Sequence, residues 1–139
     1  METQDLKCAI VLDESLPIGV AANVSAIMGV SLGKILPDIV GADAEDADGV
    51  MHSGIVEIPI PVLQTSSSNI GEIRHAAHDS ADGILVVDFS EVAQSCKAYE
   101  EYIKKMAKAT SRGIAYLGLL LIGQKKFVNK LIGSLPLMR

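Results

Sequence analysis

Few side chains in this sequence combine the residue type and the spacing that chemistry demands. His75 and His78 stand three residues apart in a helical stretch, with Glu72 and Asp79 nearby. Two imidazoles so placed can share a metal ion. At 100° per residue, however, both turn away from Ile70, Ile73 and Ala77, which marks them as residues of a solvated face, and no metal is expected. Gly29-Val30-Ser31-Leu32-Gly33 matches G-x-S-x-G, a pattern that exposes a nucleophilic serine on a sharp strand-to-helix turn. Here it falls inside a helical run begun eleven residues earlier, so it reads as a helix-packing stripe. Asp43, Glu45, Asp46 and Asp48 lead into Gly49 as the acids of a calcium loop would. With Gly49 as the sixth position, the first and twelfth are Ala44 and Ile55, so both anchoring carboxylates are missing. A solvated acidic turn is expected there.

Composition narrows the choice further. The chain has neither a Walker A motif nor G-x-G-x-x-G, so no phosphate-cradling loop and no cofactor are expected. Cys8 and Cys96 lie far apart with no Cys-x-x-Cys pair, which excludes a disulfide scaffold and zinc-finger spacing. Two buried thiols in a reducing compartment, and hence a cytoplasmic protein, are the expectation. The acids in Met-Glu-Thr-Gln-Asp stand where a signal peptide would carry bases. Net charge is −5 but segregated: residues 1–94 hold 15 acids and 3 bases, residues 95–139 hold 9 bases and 2 acids. Lys97, Lys104 and Lys108 share a helix face, and Lys125, Lys126 and Lys130 form a second cluster. Aromatics make up only 4%, with no Trp, leaving little to stack on bases. A nucleic-acid partner is therefore not expected.

The elements that must position these residues follow from periodicity. At 139 residues, 49% hydrophobic and 21% charged, the chain is too apolar for disorder, and residues 1–139 are expected to form one domain. Lys7–Leu12 reads as a buried strand, and Pro17 suits the first turn of the helix that follows. Ile18–Leu36 is helical and apolar on nearly all sides, with Ser25, Gly29 and Gly33 in a thin stripe. The uncharged stretch Ser15–Gly33 approaches the length of a membrane span. Its glycines, serines, Asn23 and Pro17 favour a buried core helix instead, so no membrane is expected. Ile55–Leu63, marked by Pro59 and Pro61, reads as an edge strand. Asn69 begins a capping box for a helix ending near Asp79. Ile84–Val87 reads as a strand ending at Asp88, and Glu91–Ala109 as a helix with Cys96, Tyr99, Ile103 and Met106 on one side. Ala115–Ile122 is the expected central strand, and Lys125–Leu131 a last helix stopped by Gly133. Such alternation makes the fold α/β, one sheet covered on both faces.

Five segments carry a resemblance: Cys8 to Gly19, Asp46 to Val50, Ile58 to Leu63, Leu85 to Phe89, and Gly133 to Leu137. Together they are similar to an uncharacterised family of short, mostly bacterial proteins described only as a domain of unknown function. Members resemble peptidyl-tRNA hydrolase II in fold, which implies a three-layer α/β/α arrangement around a mixed sheet of four or more strands. Gly123, Val128, Asn129, Lys130, Gly133, Leu135 and Leu137 follow the layout of the hydrolase's C-terminal signature, with Asn129 in place of an acid. The hydrolase's aspartate after the third strand falls on Asp88. Its N-terminal lysines and histidine are absent: this chain has Pro17, Gly19, Val20 and Ala22, then Ala26, Ile27 and Gly29.

The resulting expectation is a small binding or regulatory domain on a hydrolase-like scaffold without the hydrolase's catalytic lysines. An unidentified small molecule would meet Asp13, Asn23 and Asp88 near the end of the first strand. The small-residue stripe of the first helix suggests a homodimer. The alternative is a peptidyl-tRNA hydrolase or related hydrolase, with Asp88 as its catalytic residue and the basic C-terminal segment facing RNA.

Overall fold

The computed structural model describes residues 5–139. Its first strand, β1 (Leu6–Asp13), is followed by α1 (Ile18–Ile35), and a small hairpin joins β2 (Ala44–Glu45) to β3 (Met51–His52). Next come β4 (Val62–Thr65), α2 (Ser67–Asp79), β5 (Leu85–Ser90), the short α3 (Glu91–Gln94) and α4 (Tyr99–Lys108). The chain closes with β6 (Tyr116–Gln124) and α5 (Lys125–Ile132). The main sheet runs β4-β1-β6-β5. It is mixed, because β1 pairs parallel with β4 and antiparallel with β6, which pairs antiparallel with β5.

Alternation along β1 and β6 divides the core in two, since successive side chains of a strand leave on opposite faces. Cys8, Ile10, Leu12 and Leu120 face α1, where Ala21, Val24, Met28 and Leu32 meet them. Ala9, Val11, Leu119 and Leu121 face α2 and α5, and close over Ile70, Ile73, Val128 and Ile132. Helices thus cover both faces, as the alternation of elements requires. Gly118 lets α1 approach β6 closely: a Cβ there would lie 2.9 Å from both Leu12 Cδ2 and Val24 Cγ1.

Several elements differ from their sequence reading. Only Ala21, Val24, Met28 and Leu32 of α1 are buried, while Ile18 is 90% and Val30 77% exposed. By length and composition α1 could cross a membrane. Here one side packs on the sheet, and the side bearing Ile18 and Val30 is left uncovered. It is therefore not the buried core helix expected. The strand expected over Ile55–Leu63 shortens to β4, leaving Pro59 and Pro61 before it. β4 is an edge strand, but its outer side is closed by the C-terminal segment: Gln64 N donates to Pro136 O (3.0 Å) and Met138 N to Val62 O (2.9 Å).

α2 begins earlier than its expected cap. Ser66 is the cap, its Oγ accepting from Asn69 N at 3.2 Å, as a short hydroxyl at that position does for an orphan helix N–H. β5 continues past Val87 to Ser90, so Asp88 lies within the strand. The single helix expected over Glu91–Ala109 is broken at residues 95–98. Ser95 Oγ turns back onto Val92 O (2.9 Å), the local side-chain bond by which serine competes with helix continuation.

Candidate functional site

The edge strand β5 carries the side chains of greatest chemical interest. Asp88 sits opposite Leu119 of β6, in the row that faces α2. From α2, Arg74 Nε donates to Asp88 Oδ2 at 2.9 Å, and both side chains are about one-fifth exposed (23% and 21%). The guanidinium also lies 5.4 Å from the centre of the Tyr116 ring, within reach of a cation–π contact. Tyr116 in turn donates its hydroxyl to Ser111 O at 2.7 Å. Among the described residues, Asp88 Oδ1 and the terminal nitrogens of Arg74 make no hydrogen bond to protein, so the pair retains both acceptor and donor capacity.

Two cavities meet at Asp88. One, of about 390 Å³, runs between α1, β5 and the start of α4, and is walled by Ile27, Met28, Phe89, Cys96 and Tyr99. The other, of about 280 Å³, lies toward α2 and holds Arg74, Met106, Ser111 and Tyr116. Asp88 and Tyr102 line both. Burial pushes the Tyr102 hydroxyl above its ordinary pKa, with the negative charge of Asp88 adding to the effect. Tyr116 is raised by burial too; Arg74 opposes that shift and Asp88 reinforces it. Both phenols are thus kept in their neutral, hydrogen-bonding form. The cleft combines an apolar and aromatic wall with a desolvated carboxylate–guanidinium pair, a composition suited to holding a small amphipathic molecule.

Asp13, Asn23 and Asp88 are not brought together. Asp13 ends β1, and its Oδ1 accepts from Ser15 N (3.0 Å) and Ser15 Oγ (2.9 Å), holding the turn into α1. Asn23 is exposed on α1, which packs on the face of the sheet opposite to the Asp88 side chain. Neither residue lines either cavity that Asp88 lines. β5 stands two strands from β1, and Asn23 is exposed to solvent.

Arg74, Tyr102 and Tyr116 were missed in the sequence. A signal existed for Arg74, the arginine of α2, which stands four residues after Ile70 and three before Ala77 and so borders the buried stripe. One continuous helix over Glu91–Ala109 would place Tyr99 and Ile103 inward and Tyr102 off that face. Tyr99 and Ile103, expected inward, are 74% and 55% exposed, whereas Tyr102 and Met106 are the half-buried pair.

The other candidates take structural roles. Asp46 Oδ1 accepts from Asp48 N (2.9 Å) and Val50 N (3.0 Å), and its Oδ2 lies 2.7 Å from His52 Nε2, so this acid organises the β2–β3 hairpin. Gly49 adopts φ +81°, the left-handed conformation that favours glycine in such a turn. His78 is exposed beside Asp79, at 3.1 Å. Among the described residues, no three His, Cys, Asp or Glu side chains form a group able to hold a metal.

Comparison with known proteins agrees with this picture of fold. Residues 6–139 match the family model described as a protein of unknown function, DUF2000, and the chain belongs to that family. A solved protein of unknown function from Agrobacterium tumefaciens strain C58, Atu0240, superposes with a TM-score of 0.87 at 18% identity, over 97% of this chain and 98% of that one. At that identity the likeness is one of fold. No curated protein matches the chain.

Proposed function

We propose that this DUF2000 protein is a cytosolic small-molecule-binding or regulatory domain on a peptidyl-tRNA hydrolase II-like scaffold, with its site in the cleft at the edge of β5. The observation that carries the reading is the Asp88–Arg74 pair, about four-fifths buried yet with hydrogen-bonding atoms left over, whose Asp88 lines two cavities. Desolvating a carboxylate and a guanidinium is costly, and a pair kept solely for stability is often replaceable by apolar side chains. A ligand with an apolar or aromatic body would pack on Tyr102, Met106 and Tyr116, and present a donor to Asp88 Oδ1.

The hydrolase alternative asks more of the same residues. Asp88 is engaged by Arg74, and a general base alone contributes about 10²–10⁴-fold. Positioning a tRNA ester also needs several cationic contacts, and the lysines that make them in the hydrolase are missing here. One experiment addresses both readings. Chemical-shift mapping with a metabolite library should move Asp88, Phe89 and Tyr102, and Asp88→Asn should weaken that binding. Shifts confined to residues remote from β5 would refute the site. In parallel, the wild-type protein should cleave no diacetyl-lysyl-tRNA above background, and turnover abolished by Asp88→Asn would establish the enzyme instead.

A further inference from the structure

Between β5 and β6 the chain leaves the sheet in a long arm that includes α3 and α4. A register shift between Phe89 and Ser90 turns the chain out of β5, and the base of the arm is clamped. Glu91 N donates to Ala115 O (3.0 Å), Ala115 N donates to Glu91 Oε1 (3.3 Å), and the Tyr116 hydroxyl holds Ser111 O. Beyond that base the polar ties cease. Among the described residues, every hydrogen bond and ion pair of residues 92–110 closes within residues 91–113: Ser95 Oγ to Val92 O, Tyr102 N to Ala98 O, Lys105 to Glu101.

Apolar seating is equally thin, since no residue of α3 or α4 is buried. Half-buried Tyr102 and Met106 hold α4 in place, and the two cavities lie on either side of Tyr102. The two edges of the sheet also differ. At β4 the backbone is paired by the C-terminal segment, whereas the outer side of β5 makes no such bond among the described residues, and side chains of the arm line the cavity beside it. A segment with few buried contacts and no polar link to its neighbours opens at much lower free energy than the core it covers.

We propose that residues 92–110 form a hinged lid over the Asp88 cleft. The lid swings about the Glu91–Ala115 clamp, uncovers Asp88, Arg74 and the free edge of β5, and closes by reseating Tyr102 and Met106. The proposal rests on the reading of the cleft as a binding site, but the motion itself requires no ligand, so it is measured on the free protein. A failed metabolite titration beside intact lid opening would therefore count against the ligand and not against the lid.

Hydrogen exchange on the full chain supplies the test. Amides of α4 should exchange at least ~10²-fold faster than those of β1 and β6. The double variant Tyr102→Ala/Met106→Ala should speed exchange in α4 by a further ~10-fold and leave β1 and β6 unchanged. The native thiols give a second readout, because half-buried Cys96 belongs to the lid and lines the cavity beneath it, while Cys8 is fully buried in the core. Maleimide should modify Cys96 well before Cys8, and its rate in the double variant should rise by the same factor as exchange in α4. Exchange of α4 at the rate of β6 would overturn the lid. So would unequal factors for the two readouts, which would mean fraying of a short helix instead of movement about a hinge.

Discussion

A buried polar atom identifies a functional residue only when its partners are incomplete, and β5 offers two contrasting cases. Asp88 has a partner and spare capacity, whereas Ser90 is buried with its Oγ unpartnered among the described residues. A buried hydroxyl without a hydrogen bond carries a desolvation penalty of about 1–3 kcal/mol, and alanine removes it with almost no change in shape. Ser90→Ala is therefore expected to stabilise the protein by about 1 kcal/mol, read as a higher urea midpoint at unchanged slope. A lower midpoint would mean that Ser90 is hydrogen-bonded in solution. Single residues were only partly legible in the sequence. Asp88 stood out as an acid closing an apolar run, but its partner is distant in the chain, and no local pattern reports a pairing made between a helix and a sheet edge.

Elements were legible where burial imposes a period and illegible where it does not. Ile70, Ile73 and Ala77 of α2 and the apolar run of β6 came through because each packs a continuous face against the sheet. The arm did not, because α4 buries no residue and its exposed Tyr99 and Ile103 mimic an inward face. The β2–β3 hairpin lies between these extremes: its Asp48-Gly49 turn was readable, yet its two-residue strands bury nothing. What holds it is Asp46, whose carboxyl is kept below the ordinary carboxylate range first by the His52 side chain and then by the backbone N–H groups of Val50 and Asp48. A lowered acid pKa contributes stability that is present above the unfolded value and lost as pH falls through the folded one. The hairpin should therefore be intact at neutral pH and fray below the ordinary carboxylate range, observed as loss of dispersion in the Val50 and Met51 amide resonances before the main sheet unfolds. Retention of those shifts until global acid unfolding would show that the strands, and not Asp46, hold the turn.

At the scale of the whole molecule, one surface is left with the wrong chemistry for an isolated domain. α1 turns Ile18, Ala22, Ala26 and Val30 to solvent, and its first charge along the chain is Lys34. Other exposed helices of this protein present charges, as α4 does with Glu100, Glu101, Lys104 and Lys105. Eighteen residues at 1.5 Å each give α1 a length of about 27 Å. Small side chains such as Ala22, Ala26 and Gly29 permit two helices to approach to about 8–10 Å between axes. Packing two copies through this face would bury apolar surface at roughly 25 cal/mol per Å², with Asn23 the polar group that must find a partner across the two-fold axis. We propose such a dimer. Sedimentation equilibrium at micromolar concentration should give twice the 14.7 kDa monomer mass, and Ala26→Arg, which places a charge at the centre of the face without touching the core, should return the 14.7 kDa species. A wild-type protein that sediments at 14.7 kDa would leave α1 as a solvent-facing apolar helix and remove the dimer.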